Sequence, residues 1–473
     1  MNFVFYDLET SGRNAIWDQI IQIGAILVNE NFEEVDRYES RCSLRPGLIP
    51  EPGALIVNKT TPLMLKNSNL SHFKLINEMK DVFIKWSPAI FIGYNSISFD
   101  EEFVRNALFQ NLRPPYLTNT QGNQRADVLG IARSSNLYYP NCIKTPLSEK
   151  GNPVFKLDQI APLNGIGHDD AHDAMADVEA TIAIAKIVSE KIPELWKKSL
   201  ITSSKNETNL LVEKSNFFCF SEFYYGKAYP YVASFICYHP KYHYPQCFDL
   251  KNDPEDFIHL TKDELKVQIN KSPKFLRSIK NNKNPIIMDK TYAENFPAYE
   301  KIGFKILMER SSKIKSNPEF INKIISILTD QSDNNNLEDS QIDILAEESI
   351  YSGGFASYAD KQNMEEFYNA KWEERLNLAN NFSQERYVYF AKKIIYEENP
   401  SLLPKEDYNL IHRAIAKKIL STNDEKWNTI PKTYNELDNL RVKYENDNDV
   451  ESLNLMNEIN DLIEEIEIKY QSA

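Results

Sequence analysis

The feature that most constrains this chain is an apolar stripe that starts just after residue 173. Its members recur at steps of three and four, at Ala174, Val178, Ile182, Ala185 and Val188. This spacing predicts one buried face of an amphipathic helix. The segment is therefore expected to pack against other elements, with a polar entry at its N-terminal end.

Two polar residues at that entry are placed so that their side chains can face the same point in space. His172 stands where the helix is predicted to begin, and Asp177 follows one and a half turns later, one turn after Asp173. A histidine and a carboxylate facing one point are typical of metal-assisted hydrolysis. A capped surface helix carrying an unrelated histidine is the alternative that this stretch alone leaves open.

Length, charge and cysteine content limit the class of protein. A chain of 473 residues is long enough for two to four domains. Its net charge of −14 disfavours a protein that coats nucleic acid indiscriminately, although a local basic groove is compatible with it. Five cysteines without a Cys-x-x-Cys pair favour a reducing cytoplasm. We expect neither an export signal nor a membrane span, because a basic leader and long apolar runs are both absent from the sequence.

The first residues predict a strand with acidic side chains at its carboxyl end. Asn2 to Glu9 is followed by a Thr-Ser-Gly turn. Because strand side chains alternate, Asp7 and Glu9 point to one face. Two carboxylates on one face repel each other unless a cation relieves them, so they are a candidate platform for Mg²⁺ or Mn²⁺. An ordinary solvated strand end is the alternative for a bare Asp-x-Glu.

The remainder of residues 1–190 alternates strands and helices. Strands are predicted over Gln19–Asn29, Phe32–Ser43 and Ala89–Gly93, and helices over Ser71–Trp86, Asp100–Gln110, Arg125–Arg133 and Lys156–Ile160. Ser98 followed by Glu101 reads as a capping box that fixes Asp100 in a first helical turn. Glu101 and Glu102 are interpreted there as acids that favour the helix dipole.

The order of these acids along the chain resembles a known family. Asp7, Glu9, Asp100, His172 and Asp177 match the DEDD-type 3′–5′ exonucleases of the histidine subclass. Longer segments are similar to the bacterial exodeoxyribonuclease I family: Phe5–Thr10, Pro52–Ile56, Gly93–Asp100 and Asn164–Asp177. The resemblance implies a ribonuclease H-like α/β exonuclease domain, with a mixed central sheet flanked by helices.

The resemblance also implies a chemistry for these residues. Asp7 would bridge two Mg²⁺ ions, Glu9 and Asp177 would hold the ion that carries the attacking water, and Asp100 would support the second. Mn²⁺ is a possible substitute. His172 would take the proton of the water at neutral pH. His168 lies before the helix proper and is interpreted as solvent-exposed or as a loop contact.

The middle of the chain changes in composition. Phe217 to Phe248 holds thirteen aromatic residues, interrupted by Gly and Pro, which predicts the short strands of a small β-domain. Most of these rings are expected in the core, although exposed rings also stack on single-stranded bases. Lys262 to Lys315 carries thirteen Lys or Arg against six Asp or Glu. Such a local excess favours DNA, with a solvated lysine face as the alternative.

By resemblance, the exonuclease domain over residues 1–190 precedes a Src-homology-3-like β-barrel over 193–338 and an α-helical domain over 341–473, which together close around single-stranded DNA. The implied DNA contacts, besides Glu9, are Arg105, Tyr116, Arg133, Lys156, Arg277, Asn282 and Tyr351. Lys156 departs from the family, which commonly has Arg there. The family also docks the acidic C-terminal tail of single-stranded-DNA-binding protein, for which Lys305, Met308 and Lys315 are the candidates.

Beyond the middle region, Thr329 to Asp343 reads as a linker, and Met364 to the end is predicted to be helical. A stripe from Val450 to Tyr470 is expected to pack against the clamp, with a coiled-coil dimer as the rival. A monomer is expected.

The predicted function is that of a Mg²⁺-dependent exonuclease that removes 5′-mononucleotides from the 3′ end of single-stranded DNA. The resemblance implies that it acts processively and in DNA repair and recombination in the bacterial cytoplasm. Two alternatives stay open. One is a related exoribonuclease or proofreading subunit, because the superfamily shares the five residues, and the other is a catalytically inactive DNA-binding scaffold.

Overall fold

The first half of the chain is built on a mixed β-sheet. A computed structural model describes residues 1–167, 172–339 and 344–472, with side chains left out over 334–339. The strands of this sheet are β1 (Asn2–Thr10), β2 (Ile20–Val28), β3 (Glu34–Arg41), β4 (Ala89–Gly93) and β5 (Gln124–Asp127). Their order is β3-β2-β1-β4-β5, with β1 antiparallel to β2 and parallel to β4. This is the mixed sheet that the sequence predicts.

Helices cover both faces of this sheet. They are α1 (Pro52–Val57), α2 (Pro62–Asn67), α3 (His72–Trp86), α4 (Asp100–Gln110), α5 (Val128–Tyr138), α6 (Leu157–Leu163), α7 (Ala174–Lys191), α8 (Pro193–Ile201) and α9 (Lys205–Lys214). Alternation along β1 explains the two layers: Phe3 and Phe5 pack on the side of α7, whereas Val4 and Tyr6 pack on the side of α3.

One predicted element of this region is wrong at its start. The stretch Arg125–Arg133 was expected to be helical, but residues 124–127 form β5, parallel to β4, and α5 begins only at Val128. The strand forms because Ala126 is fully buried beside Ile92 in the sheet. Tertiary pairing therefore outweighs the local helical pattern.

The middle region contains a second sheet of five antiparallel strands. They are β6 (Phe218–Tyr224), β7 (Lys227–Tyr238), β8 (Pro245–Asp249), β9 (Leu276–Ser278) and β10 (Ile287–Met288), in the order β10-β6-β7-β8-β9. The accompanying helices are α10 (Glu255–Ile258), α11 (Lys262–Asn270), α12 (Pro297–Glu300), α13 (Phe304–Lys315) and α14 (Pro318–Asp339). Most of the aromatic-rich stretch lies in β6, β7 and β8, as the sequence predicts.

The remaining residues are helical. They form α15 (Tyr358–Asn369), α16 (Trp372–Asn380), α17 (Glu385–Glu398), α18 (Lys405–Ile419), α19 (Ile430–Asp447) and α20 (Val450–Gln471). The apolar stripe of α20 buries Met456, Ile459 and Ile463 in a core shared with Leu55 of α1. This stripe packs within the chain, as expected. These buried residues are therefore not available to form the coiled-coil dimer considered as the alternative.

The predicted linker over Thr329–Asp343 is wrong for its described part. Residues 329–339 continue α14, whose first turns are buried through Phe320, Ile324 and Ile327. Residues 340–343 lie outside the described residues. The boundaries 1–190, 193–338 and 341–473 stay predictions, since one core cluster joins Phe3 of the first sheet to Val232 of the second.

Within residues 1–167, 172–339 and 344–472, no helix is both long and apolar enough to cross a lipid bilayer. The five cysteines are buried free thiols.

Candidate active site

Three carboxylates meet where β1 ends against α7. Asp7, Glu9 and Asp177 each offer an oxygen atom, and these atoms all lie within 4.8 Å of one another. Asp7 and Glu9 share one face of β1, and Asp177 lies in the first turn of α7. The first strand and a helix far along the chain thus contribute to one acidic cluster.

A glycine allows α7 to approach the sheet at this point. Gly24 of β2 pairs with Asp7 of β1. A Cβ atom at Gly24 would lie 2.8 Å from backbone atoms of Ala174 and Met175, closer than any real Cβ contact. The absent side chain therefore brings the start of α7, and Asp177 with it, next to the carboxylates of β1.

Asp100 approaches the same cluster from α4. It is 3% exposed and accepts a hydrogen bond from the backbone N–H of Leu8. The pairing of β4 with β1 extends only as far as Phe5 and Ile92, so Asp100 satisfies an N–H beyond that ladder. Asp100 does not belong to the group of mutually close ligand atoms among the described residues, which contains the other three acids.

The predicted capping box at the start of α4 is wrong. The N-cap residue is Phe99, which supplies no side-chain hydrogen bond, although the helix bounds are as expected. Glu101 is 1% exposed and binds Tyr6, Thr118 and Arg125, so it is buried in protein contacts instead of facing the helix terminus as a solvated acid. Only the tertiary structure supplies these three partners.

Asp127 holds the loop that leads into α4. Its carboxylate accepts backbone hydrogen bonds from Asn95 at 2.9 Å and Ile97 at 3.2 Å, as well as from Leu129 at 3.0 Å. The role of Asp127 was not predicted from the sequence. An Asp between a short buried strand and a helix is a possible signal for it, because such an acid often caps the helix.

Burial and mutual repulsion raise the pKa values of the clustered acids. Removal from water, followed by the charges of Asp100 and Asp177, raises the pKa of Asp7 well above its usual range. Burial and the charge of Asp177 raise the pKa of Glu9 to about 9. Burial also raises the pKa values of Asp100 and Asp177. The protein itself therefore provides too little positive charge for these carboxylates to ionise together.

The donor set fits a divalent cation. Oxygen ligands alone, carried by converging carboxylates, are typical of Mg²⁺ and Mn²⁺ sites. A bound cation would lower the raised pKa values by supplying the positive charge that the cluster lacks. The cluster of Asp7, Glu9 and Asp177 is thus a candidate metal site, with Asp100 beside it.

His172 lies at the solvent side of this cluster. It is exposed, its backbone is in the left-handed region at φ 68°, and its backbone N–H donates to Oδ1 of Asp177 at 3.4 Å. Burial raises the pKa of Asp177, and His172 opposes this rise. His168, which we interpreted as exposed, lies outside the described residues.

Asp173 fixes the entry to α7. One carboxylate oxygen caps the helix by accepting from the N–H groups of Met175 and Ala176 at 3.1 and 3.3 Å. The other accepts from Gln22 at 2.9 Å and Arg41 at 2.8 Å. Burial would raise the pKa of Asp173, but these donors hold it below its usual range. The spacing of Asp173 from Asp177 was evident in the sequence, but neither side-chain partner was predicted.

A cavity of about 830 Å³ opens beside His172 and Asp177. Arg133 and Lys156, both predicted to contact DNA, line it. The guanidinium of Arg133 lies 3.8 Å from the ring centroid of Phe223 in β6, and Lys156 is the exposed N-cap residue of α6. Both cations thus line the cavity that Asp177 of the acidic cluster also lines.

A second group of predicted DNA contacts lies along α4. Arg105 pairs with Glu102 at 3.3 Å and with Glu101 at 3.6 Å, and its guanidinium lies 5.5 Å from the ring centroid of Tyr116. The hydroxyl of Tyr351 donates to Glu102 at 2.5 Å. The structure therefore brings Arg105, Tyr116 and Tyr351 together although 246 residues separate the first from the last.

The other predicted contacts are more scattered. Arg277 pairs with Glu222 at 3.1 Å and lies 3.8 Å from the ring centroid of Tyr231, so it already has partners within the second sheet. Asn282 is exposed, and its carbonyl accepts from Arg125 at 3.4 Å. Their contact with DNA stays a prediction.

The candidate partner-binding residues lie on α13. Lys305 is exposed and Met308 is half-buried one turn later. Lys315, in the last turn, donates to the carbonyls of Glu213 and Ser215 at 3.2 and 2.6 Å and so caps α9. Lys305 and Met308 thus share a surface, whereas Lys315 is engaged elsewhere.

Two family models match this chain. Residues 4–185 match the model described as "Exonuclease", and residues 344–466 match the "Exonuclease I C-terminal domain". Exodeoxyribonuclease I of Buchnera aphidicola is 33% identical over 46% of this chain, and that of Escherichia coli is 32% identical over 45%. The match covers 45% of each relative, so the similarity spans about half the length of these curated proteins.

A solved structure extends the comparison to almost the whole fold. E. coli Exonuclease I in complex with a dA16 oligonucleotide superposes with a TM-score of 0.82 over 98% of this chain and 99% of that one, at 22% identity. The likeness confirms the predicted fold class, an α/β ribonuclease H-like domain followed by further domains with a helical C-terminal region.

Proposed function

We propose that this chain, whose residues 4–185 belong to the exonuclease family and whose residues 344–466 form an exonuclease I C-terminal domain, is a metal-dependent exonuclease acting on single-stranded DNA. The observation that carries the proposal is the cluster of Asp7, Glu9 and Asp177, whose oxygen atoms lie within 4.8 Å of one another beside a cavity lined by cations. Phosphodiester hydrolysis needs both: carboxylates for metal ions and positive charge for the phosphate backbone.

In this proposal Asp7, Glu9 and Asp177 hold divalent cations, with Asp100 supporting a second ion. Two Mg²⁺ ions, or Mn²⁺ in their place, would stabilise the charge that develops on the attacking and leaving oxygens. His172 takes the proton of the attacking water, because histidine is the usual general base of such sites and His172 lines the cavity together with Asp177. The products are 5′-mononucleotides.

The strand is proposed to enter through the 830 Å³ cavity. Arg133 and Lys156 would bind its phosphates, and Phe223 and Tyr225 offer aromatic rings for its bases. Lys156 would act as a point charge where an arginine could bind a phosphate in bidentate fashion. Further along, the DNA strand would contact Arg105, Tyr116, Asn282 and Tyr351. We propose that the second sheet and the C-terminal helices surround the strand, so that the enzyme acts processively.

E. coli Exonuclease I has been crystallised with oligonucleotides and in a zinc-bound complex with single-stranded DNA. These ligands support the same substrate and the same class of cofactor for this chain. We further propose a monomer in the bacterial cytoplasm that serves DNA repair and recombination. An acidic peptide tail of single-stranded-DNA-binding protein would dock at Lys305 and Met308.

Time courses on end-labelled substrates test the central proposal. The enzyme is incubated with single-stranded DNA, duplex DNA and RNA of one sequence, each labelled at the 5′ end, with Mg²⁺ or with EDTA. We expect single-stranded DNA to shorten from its 3′ end, and EDTA to stop the reaction.

Each other outcome contradicts the proposal in a defined way. Faster degradation of RNA would favour the exoribonuclease alternative. Binding of single-stranded DNA without any cleavage would favour the inactive scaffold. Cleavage that is insensitive to EDTA would exclude the metal site altogether. An Asp7→Asn variant is the control for a contaminating nuclease and is expected to be inactive.

A further inference from the structure

A buried carboxylate without an assigned role lies directly next to Asp100. Glu101 is 1% exposed and accepts hydrogen bonds from the hydroxyl of Tyr6 at 2.7 Å, the hydroxyl of Thr118 at 2.8 Å and Arg125 at 3.0 Å. A buried charge is costly unless it is paired and hydrogen-bonded, and Glu101 meets both conditions. This concentration of contacts makes it a junction of several chain segments.

Two of those segments deliver the candidate metal ligands. Tyr6 immediately precedes Asp7 on β1, and Glu101 immediately follows Asp100 on α4. The bond between Tyr6 and Glu101 therefore joins the two backbones within one residue of each ligand. The bond from the N–H of Leu8 to Asp100 joins the same two segments.

The junction also reaches the second sheet. Arg125, which pairs with Glu101, donates its other nitrogen to the carbonyl of Asn282 at 3.4 Å. The neighbouring Lys283 donates to the carbonyl of Ile97, in the loop before α4, at 2.9 Å. A segment proposed to contact DNA is thus bonded to the residues that hold α4 in place.

We propose that Glu101 is a positioning residue that fixes the start of α4 against β1, and so sets the separation of the Asp7 and Asp100 carboxylates. This inference rests on the proposed function, in which those carboxylates bind divalent cations. The competing explanation is purely structural: Glu101 only neutralises the buried Arg125. The two explanations differ in whether metal affinity depends on the Tyr6 contact.

The proposal predicts a specific loss in a Tyr6→Phe variant. Phenylalanine keeps the buried ring but removes the hydroxyl that binds Glu101, and it leaves the pairing of Glu101 with Arg125 intact. Residues that orient metal ligands from outside the coordination sphere typically change metal affinity by about 10- to 100-fold when substituted. We expect the Mn²⁺ dissociation constant to rise about tenfold, at the lower end of that range.

The experiment uses the full chain without DNA. Free Mn²⁺ is titrated by electron paramagnetic resonance, and kcat and KM are measured on a single-stranded oligonucleotide over a range of Mg²⁺ concentrations. We expect Tyr6→Phe to lower kcat at low Mg²⁺, to recover it at high Mg²⁺, and to leave the KM for DNA nearly unchanged. Tyr38→Phe is the control, because it also removes a tyrosine hydroxyl from a strand of the same sheet, one that donates to Glu78 of α3 instead of Glu101.

Two results would overturn the inference. If Tyr6→Phe melts at a lower temperature but binds Mn²⁺ as tightly as the wild type, the role of the junction is only structural. A Glu101→Ala variant, which can no longer accept from Tyr6, would lead to the same conclusion if it folds and binds Mn²⁺ normally. Failure of the wild type itself to bind Mn²⁺ would instead defeat the proposed function, and this inference with it.

Discussion

At the scale of single residues, the candidate site is defined by acids that are kept from ionising together. Glu9 is 9% exposed, and its pKa is raised to about 9 by burial and by neighbouring carboxylates. Most proteins avoid such a cluster because each added charge repels the others. The clustered carboxylates here lack a compensating positive charge, which a bound metal ion would supply.

Removal of the proposed base tests the role of one residue. We expect His172→Ala to lower kcat on single-stranded DNA by about 10²- to 10⁴-fold, the usual contribution of a positioned acid–base group. His172 is exposed, so its loss removes little packing and the melting temperature should stay constant. Activity close to that of the wild type would eliminate His172 as the base.

The raised acid pKa values predict an unusual dependence of stability on pH. Below pH 4.5, the ordinary pKa of the group, Glu9 is protonated in both states. Between pH 4.5 and about 9 the unfolded chain releases this proton while the folded chain retains it, so the free energy of unfolding decreases as pH rises.

Melting temperatures check this prediction. In EDTA, the wild type should lose more stability between pH 5 and pH 9 than a Glu9→Gln variant, which has no proton to release there. Added Mg²⁺ should stabilise the wild type most at the alkaline end, because its binding displaces protons. Equal pH dependence of the two proteins in EDTA would contradict the shifted pKa.

At the scale of elements, the start of α7 is the part most clearly built for a site. Gly24 allows the helix to approach β2, and Asp173 caps it while bonding to Gln22 and Arg41. The N-terminus of α7 is thus held by the hydrogen bonds of Asp173 to the helix backbone and by its hydrogen bonds to Gln22 and Arg41 of the sheet. Asp177 and His172 derive their positions from these contacts.

Loss of the cap should therefore affect both stability and catalysis. We expect Asp173→Ala to reduce stability by about 0.5–2 kcal/mol, the usual cost of losing an N-cap, and to lower kcat as well. Ser204→Ala is the matched control, since Ser204 caps α9 away from the acidic cluster. It should lower the melting temperature without lowering kcat. Equal catalytic effects of the two variants would show that the cap of α7 has no special role.

At the scale of the whole molecule, the two sheets are joined by specific polar contacts as well as by a shared core. Asn284 accepts from the N–H of Asp127 at 3.1 Å and donates to the carbonyl of Ser199 at 2.8 Å. It is 5% exposed, so its loss would leave buried groups without partners. This side chain links the end of β5 and helix α8 to the segment between β9 and β10.

An Asn284→Ala variant tests whether that link supports processive degradation. We expect shorter products per binding event when excess unlabelled DNA traps released enzyme, because the second sheet would be held less firmly against the exonuclease domain. Asn281→Ala is the matched control: Asn281 is also buried, but it bonds to Asn209 and His243, outside the first sheet. Equal processivity of the two variants would contradict the proposed link.

The sequence determined the local elements and the identity of the acidic residues. The helical stripe after residue 173 and the alternation in β1 are short-range patterns, so the helix, the strand and the shared face of Asp7 and Glu9 were predictable. The spacing of His172 and Asp177 was equally accessible. Resemblance to a family supplied the order of the domains, which no local pattern contains.

Only the tertiary structure decided which distant residues meet. The approach of α7 to Gly24, the partners of Glu101 and the conversion of residues 124–127 into a strand all depend on contacts between segments far apart in the chain. Local propensity cannot encode such contacts, because their energy comes from burial and hydrogen bonding once the chain is folded. The candidate metal ligands could be identified in the sequence, whereas the contacts that position these ligands depend on the packing of the folded chain.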